Sequence, residues 1–154
     1  MSKLDKPKFV YVTYINTTPE KLWEALTTTD FIRQYWVSRT NTSTWKKGGV
    51  IESRSPQGEL EWHGKILESR KPRRLVFTFD VVGRKEGPSR VTFQIDPPKR
   101  SDVHQSDAVR FTVTHDQFPS GSQVFKGINM GWPVILSSLK TMLESGKAIQ
   151  FTHN

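Results

Sequence analysis

Gly131-Trp-Pro-Val-Ile-Leu-Ser-Ser-Leu-Lys-Thr-Met-Leu-Glu-Ser-Gly146 is the stretch on which the reading of the fold turns. Trp132, Ile135, Leu136, Leu139, Met142 and Leu143 recur at i, i+3, i+4 and i+7 spacings, which makes one apolar face of an α-helix. Ser138, Lys140, Thr141 and Glu144 fall mostly off that face. Gly146 stands where a left-handed C-terminal cap belongs. Pro133 has no backbone donor, so it costs little only in a first turn, whose amides lack internal partners. This predicts a helix start near Met130 to Trp132, unless the helix is kinked.

Upstream, the pattern is mostly of period two. Phe9-Val-Tyr-Val-Thr-Tyr-Ile15 is β-branched and aromatic and reads as a strand. Two short helices follow. The first opens at Thr17 or Thr18, with Pro19 in the first turn and Leu22, Trp23 and Leu26 on its buried stripe. The second, Phe31 to Trp36, takes its cap from Thr29 or Asp30. Six strands are then predicted: Val37 to Trp45, Val50 to Arg54, Leu60 to Arg70, Leu75 to Val81, Arg90 to Ile95 and Val109 to His115. Alternation places Trp62, Gly64 and Ile66 on one face of their strand. It groups Leu75, Phe77, Phe79 and Val81, then Val91, Phe93 and Ile95, then Val109, Phe111 and Val113. Short turns between sequential strands favour an antiparallel meander, whose inward faces the last helix must cover. Segment 96–107 reads as a long polar connection, mobile at its tip. Segment 116–127 reads as an irregular loop docked through Phe118, Val124 and Phe125.

The chain has 154 residues, the size of one ordinary domain, and its 5 Trp and 9 Phe supply bulky walls for a core that is solid or hollow. It has no cysteine, which excludes a disulfide framework, a thiol nucleophile and cysteine-ligated zinc. The segment 1–8 lacks the apolar stretch of a secretory signal, and no apolar run is long enough to span a membrane, so a cytoplasmic location is expected. Net charge is +8, concentrated between Lys65 and Arg100 with ten Lys/Arg against four acids. Most of these residues fall in turns and read as a solvated surface. Their alternation away from the aromatics argues against a specific nucleic-acid surface.

Several segments, in their order and spacing, resemble one family. They are Thr18-Pro-Glu-Lys-Leu-Trp-Glu-Ala-Leu26 with Tyr35-Trp36, Lys47-Gly-Gly49, Gly64-Lys-Ile-Leu-Glu68 and Pro72-Arg-Arg-Leu-Val-Phe-Thr-Phe79. To these are added Val91-Thr-Phe-Gln-Ile95, Val113-Thr-His115 and Gly131-Trp132. The β–α–α–β6–α order resembles the helix-grip fold of the START-like (SRPBCC) superfamily, which includes the birch-pollen-allergen-like proteins. Within it the chain resembles homologues of the activator of the ninety-kilodalton heat-shock protein ATPase. The resemblance covers roughly residues 9–146. It implies one START-like α+β domain over 1–154, with a curved antiparallel sheet wrapped around a long C-terminal helix. It also implies a deep cavity between sheet and helix, often fit for an apolar or amphipathic small molecule. Phe79 stands where the family often has Trp, and segment 96–107 is longer and more charged than usual. The family's co-chaperone role depends on a further N-terminal domain that this sequence does not show, so a chaperone partner is not the first expectation.

The candidate wall of such a cavity is Tyr35, Trp36, Trp62, Phe77, Phe79, Phe93, Phe111, His115, Trp132, Leu136 and Leu139. The bland alternative is that these side chains form a solid core. His63, His104, His115 and His153 show no metal-ligand spacing, and neither a phosphate loop nor a Gly-x-Ser-x-Gly elbow is present. His115 continues the inward parity of its strand. It is either a strand-end histidine bonded to nearby backbone or a lone polar group facing the cavity, and the lid is then the 116–127 loop. The first expectation is a ligand-binding protein, monomer or homodimer, with no catalytic constellation, cofactor or metal. The alternatives are a cyclase- or hydrolase-type enzyme using His115 as acid–base, and a stress-related interaction module using the basic turns.

Overall fold

The computed structural model describes residues 6–98 and 107–151. Strand β1 (Phe9–Ile15) leads into helices α1 (Pro19–Thr27) and α2 (Thr29–Tyr35). Six strands follow: β2 (Thr40–Ser43), β3 (Val50–Arg54), β4 (Leu60–Arg70), β5 (Arg74–Val81), β6 (Ser89–Asp96) and β7 (Val109–Asp116). Helix α3 (Gln123–Ser145) ends the described fold. The strands form one antiparallel sheet in the order β1-β7-β6-β5-β4-β3-β2, curved and open, with β1 and β2 at its edges. This is the expected α+β helix-grip arrangement.

The inward rows follow the predicted parity. Leu75, Phe77, Val91, Phe93, Ile95, Val109, Phe111 and Val113 are all buried. Trp132, Leu136, Leu139 and Met142 of α3 cover them, and α1 and α2 add Leu22, Trp23, Leu26, Ile32 and Tyr35. Each large apolar side chain so enclosed stabilises the fold by about 1.5–3 kcal/mol. The Tyr35 hydroxyl donates to the Ala25 carbonyl at 2.8 Å, so its burial leaves no orphan group. That burial pushes its pKa far up, keeping the phenol neutral. Strands β4 and β5 approach so closely that a Cβ at Gly64 would lie 1.7 Å from the Thr78 carbonyl oxygen. Their register slips between Ile66 and Glu68, and this bulge leaves Leu67 exposed on the outer face.

Four expectations need correction. Helix α3 begins at Gln123, not near Met130, and Pro133 lies inside it. The last five residues of the 116–127 segment are therefore helix, while the irregular part before them is docked as expected, with Phe118 buried as a ring partner of Phe125 at 5.2 Å. Strand β2 is only Thr40–Ser43, because Val37, Ser38 and Trp45 take positive φ and leave the extended region. The cap of α2 is Thr28, with no side-chain hydrogen bond, whereas Thr18 caps α1 through its hydroxyl to Lys21 N. Ser138 is buried, not on the polar side of α3. Its Oγ accepts from Ile149 N at 3.2 Å, docking the tail that follows Gly146. The expected mobile tip of segment 96–107, with Lys99, Arg100 and His104, lies outside the described residues, as does His153.

Candidate functional site

The first half of α3, the ends of β4 and β5 and the α2–β2 connection enclose a hollow of about 340 Å³. Its wall carries the rings of Trp36, Trp62, Phe79 and Trp132, with Val81, Val124, Ile128 and Ile135 between them. Trp62 is the hub, with its ring 4.5 Å from Phe79 and 6.2 Å from Trp36, whose own ring lies 5.3 Å from Trp132. Arg39, Glu61, Arg84 and Gln123 stand at the rim, where the hollow meets solvent.

Of the eleven candidate wall residues, Trp36, Trp62, Phe79 and Trp132 line this hollow. Tyr35, Phe77, Phe93, Phe111, His115, Leu136 and Leu139 sit in the packed core instead. Phe77, Phe93 and Phe111 pack ring against ring at 5.4 and 5.5 Å across β5, β6 and β7. Among the described residues, the hollow lies toward the β4–β5 end of the sheet. Arg39, Glu61, Arg84 and Gln123 were not anticipated, since they converge only through the tertiary fold.

Gly127 and Gly131 also face the hollow. Each costs a helix interior about 0.8–1 kcal/mol relative to alanine. A Cβ at either position would meet nothing within 4 Å, so no packing constraint demands glycine. Their effect is to leave the wall of α3 bare.

Three residues near the end of β7 form a closed relay. Trp132 Nε1 donates to His115 Nδ1 at 3.0 Å, and His115 Nε2 lies 2.7 Å from Ser89 Oγ. An indole nitrogen only donates, so Nδ1 is the acceptor and the neutral ring carries its proton on Nε2. Ser89 Oγ accepts that proton's hydrogen bond and donates its own to the Phe79 carbonyl at 3.1 Å. Burial pushes the His115 pKa down to about 3, against a smaller upward pull from Asp116. His115 is thus held neutral by side chains, not backbone, and both nitrogens are engaged. It does not line the hollow.

The early start of α3 has a clear cause. Ser122 Oγ accepts from Phe125 N at 2.9 Å, an N-cap, and donates to the Glu86 carboxylate. Glu86 also accepts from Gln123 N at 2.8 Å and Val124 N at 3.4 Å. Burial tends to raise its pKa. The hydrogen bonds from Ser122, Gln123 and Val124, with the Arg84 charge, outweigh that and hold it below the usual carboxylate range. These bonds, with Val124 and Ile128 packed against the core, hold the turns that precede Pro133. The signal was present in the sequence: Val124, Ile128, Trp132 and Ile135 extend the apolar periodicity upstream.

At the rim, Arg39 binds Glu61 at 2.9 Å and donates to the Val37 carbonyl at 2.8 Å. It thereby fastens a connection in which Val37 (φ 48°) and Ser38 (φ 62°) are both left-handed. For a β-branched residue that conformation costs of order 1–3 kcal/mol. Among the described residues, no group of three or more His, Asp or Glu is placed to hold a metal, and no helix is long and apolar enough to cross a membrane.

Comparison with known proteins bears on the fold and the family. No curated protein matches the sequence. A protein from Mesorhizobium loti shares the fold with a TM-score of 0.75 at 22% identity, over 89% of this chain and 96% of its own. An HSP90 activator from Plasmodium falciparum superposes with a TM-score of 0.73 at 20% identity, over 88% of this chain and 95% of its own. The Aha1 dimer from Colwellia psychrerythraea gives 0.72 at 22% identity, over 92% and 99%. At such identities these likenesses establish the fold alone. Residues 16–144 match the family described as activator of Hsp90 ATPase homolog 1-like protein, and to that family the chain belongs.

Proposed function

We propose that this protein binds a small apolar or amphipathic molecule in the hollow between the sheet and α3. The supporting observation is the wall itself: four aromatic rings and two helix glycines line about 340 Å³, with the charged groups at the rim. That combination is the ordinary anatomy of a small-molecule site. The ligand-contacting residues would be Trp36, Trp62, Phe79 and Trp132. The alternative of His115 as an acid–base group finds no support, because its nitrogens are committed to Trp132 and Ser89. Native mass spectrometry after incubation with naphthalene- and indole-sized aromatics is the test. One molecule per chain is expected. An unshifted mass at saturating concentration would overturn the reading.

Family membership favours a second reading, contact with an HSP90-type chaperone. A change in the chaperone's ATPase rate on adding this chain would support it, and an unchanged rate together with no complex in sedimentation would remove it. The same sedimentation run decides between monomer and homodimer.

A further inference from the structure

We infer that the hollow and an adjoining groove form one site for an elongated, single-chain amphiphile with a carboxylate head. The inference deepens the small-molecule reading and rests on it. The groove, about 460 Å³, shares Trp36, Gly127 and Gly131 with the hollow and extends it to Met130 and Val134. The two bare glycines are the step between the spaces. With no Cβ there, a flexible chain can cross the surface of α3 from one to the other. At the far end Met130 is 79% exposed and Val134 is 37% exposed, apolar side chains that an alkyl tail would cover.

The head is placed by charge. Four charged groups stand at or near the rim. Glu61 is bound to Arg39, and the Glu86 carboxylate is occupied by Ser122 and the first amides of α3. The Arg84 guanidinium alone makes no hydrogen bond or close ion pair among the described residues, and it acts on nearby Glu86 through charge attraction. Its guanidinium has a free fork of donors, and Gln123 beside it carries an amide donor. A carboxylate there gains charge-assisted bonds, while the chain behind it lies among the rings of Trp36 and Trp62.

The test uses the fluorescent polyene fatty acid cis-parinaric acid and its methyl ester, which differ only at the head. Binding is measured for wild type, Arg84→Ala and Gly131→Leu, each shown to be folded by its thermal transition. Wild type should bind the acid about tenfold tighter than the ester. Arg84→Ala should bring the acid to the ester's affinity and leave the ester unchanged. Gly131→Leu should weaken both by about tenfold or more. Equal affinity for acid and ester in wild type would overturn the carboxylate head and leave the hollow's own role standing. Failure of both, while the compact neutral probe N-phenyl-1-naphthylamine still binds, would overturn the elongated chain. Failure of all three probes would remove the small-molecule reading itself.

Discussion

The indole N–H of Trp132 donates to Nδ1 of His115 at 3.0 Å, tying the middle of α3 to the last strand of the sheet. The bond requires a neutral imidazole. Protonating Nδ1 would set two donors against each other in a site with no solvent access. The wall residue Trp132 is therefore held in place by a histidine behind it.

That link makes stability depend on pH. The His115 pKa falls from about 6.5 in the unfolded chain to about 3 in the fold, so the unfolded state binds more protons between those values. The contribution is complete above about pH 6.5 and is lost as pH falls toward 3, by up to about 1.4 kcal/mol per pH unit. Urea unfolding at pH 7, 5.5 and 4.5 should show this slope in wild type. His115→Phe should be less stable at pH 7 and should fall less steeply. Equal slopes for the two proteins would show that His115 is not the group responsible.

Two glycines should respond in opposite directions. Gly64→Ala places a methyl against the Thr78 backbone oxygen, which cannot yield without parting β4 from β5, and should cost about 3 kcal/mol. Gly131→Ala enters open space on a helix and should stabilise by roughly 0.8–1 kcal/mol. Thermal melts of the two variants decide the matter. If Gly131→Ala destabilised the protein, glycine there would have a structural role that its open surroundings do not reveal.

Glu86→Ala should remove a remote cap of α3. A lost N-cap costs about 0.5–2 kcal/mol, and the effect should be local. Hydrogen exchange at Phe125 and Lys126 should accelerate, while amides of Leu139 and Met142 keep their protection. Uniform loss of protection along the helix would contradict the capping role.

The strand parities and the apolar face of α3 were legible in the sequence because they depend on local period alone. Phe77, Phe79, Phe93 and Phe111 all point inward as predicted. Period cannot tell which of them meets another ring and which meets space. Phe79 borders the hollow only because α3 and Trp36 stand where they do. The start of α3 differs from the expectation because the rule about Pro133 is local, whereas the turns before it are held by Glu86 from a distant turn and by Val124 and Ile128 against the core. His115 showed its inward direction in the sequence but not its partners, since Ser89 and Trp132 reach it only through the fold. The rim pair Arg39–Glu61 was hidden for the same reason.

The central claim is that the space beside Trp36, Trp62 and Trp132 receives a small apolar or amphipathic molecule. Titration with N-phenyl-1-naphthylamine, read by its own emission and by quenching of tryptophan fluorescence, tests this most directly in wild type and Gly131→Leu. The account predicts saturable binding of one probe per wild-type chain and at least about tenfold weaker binding to a folded Gly131→Leu chain, whose new side chain fills the hollow. No saturable binding to wild type, or equal binding to the two proteins, would contradict it.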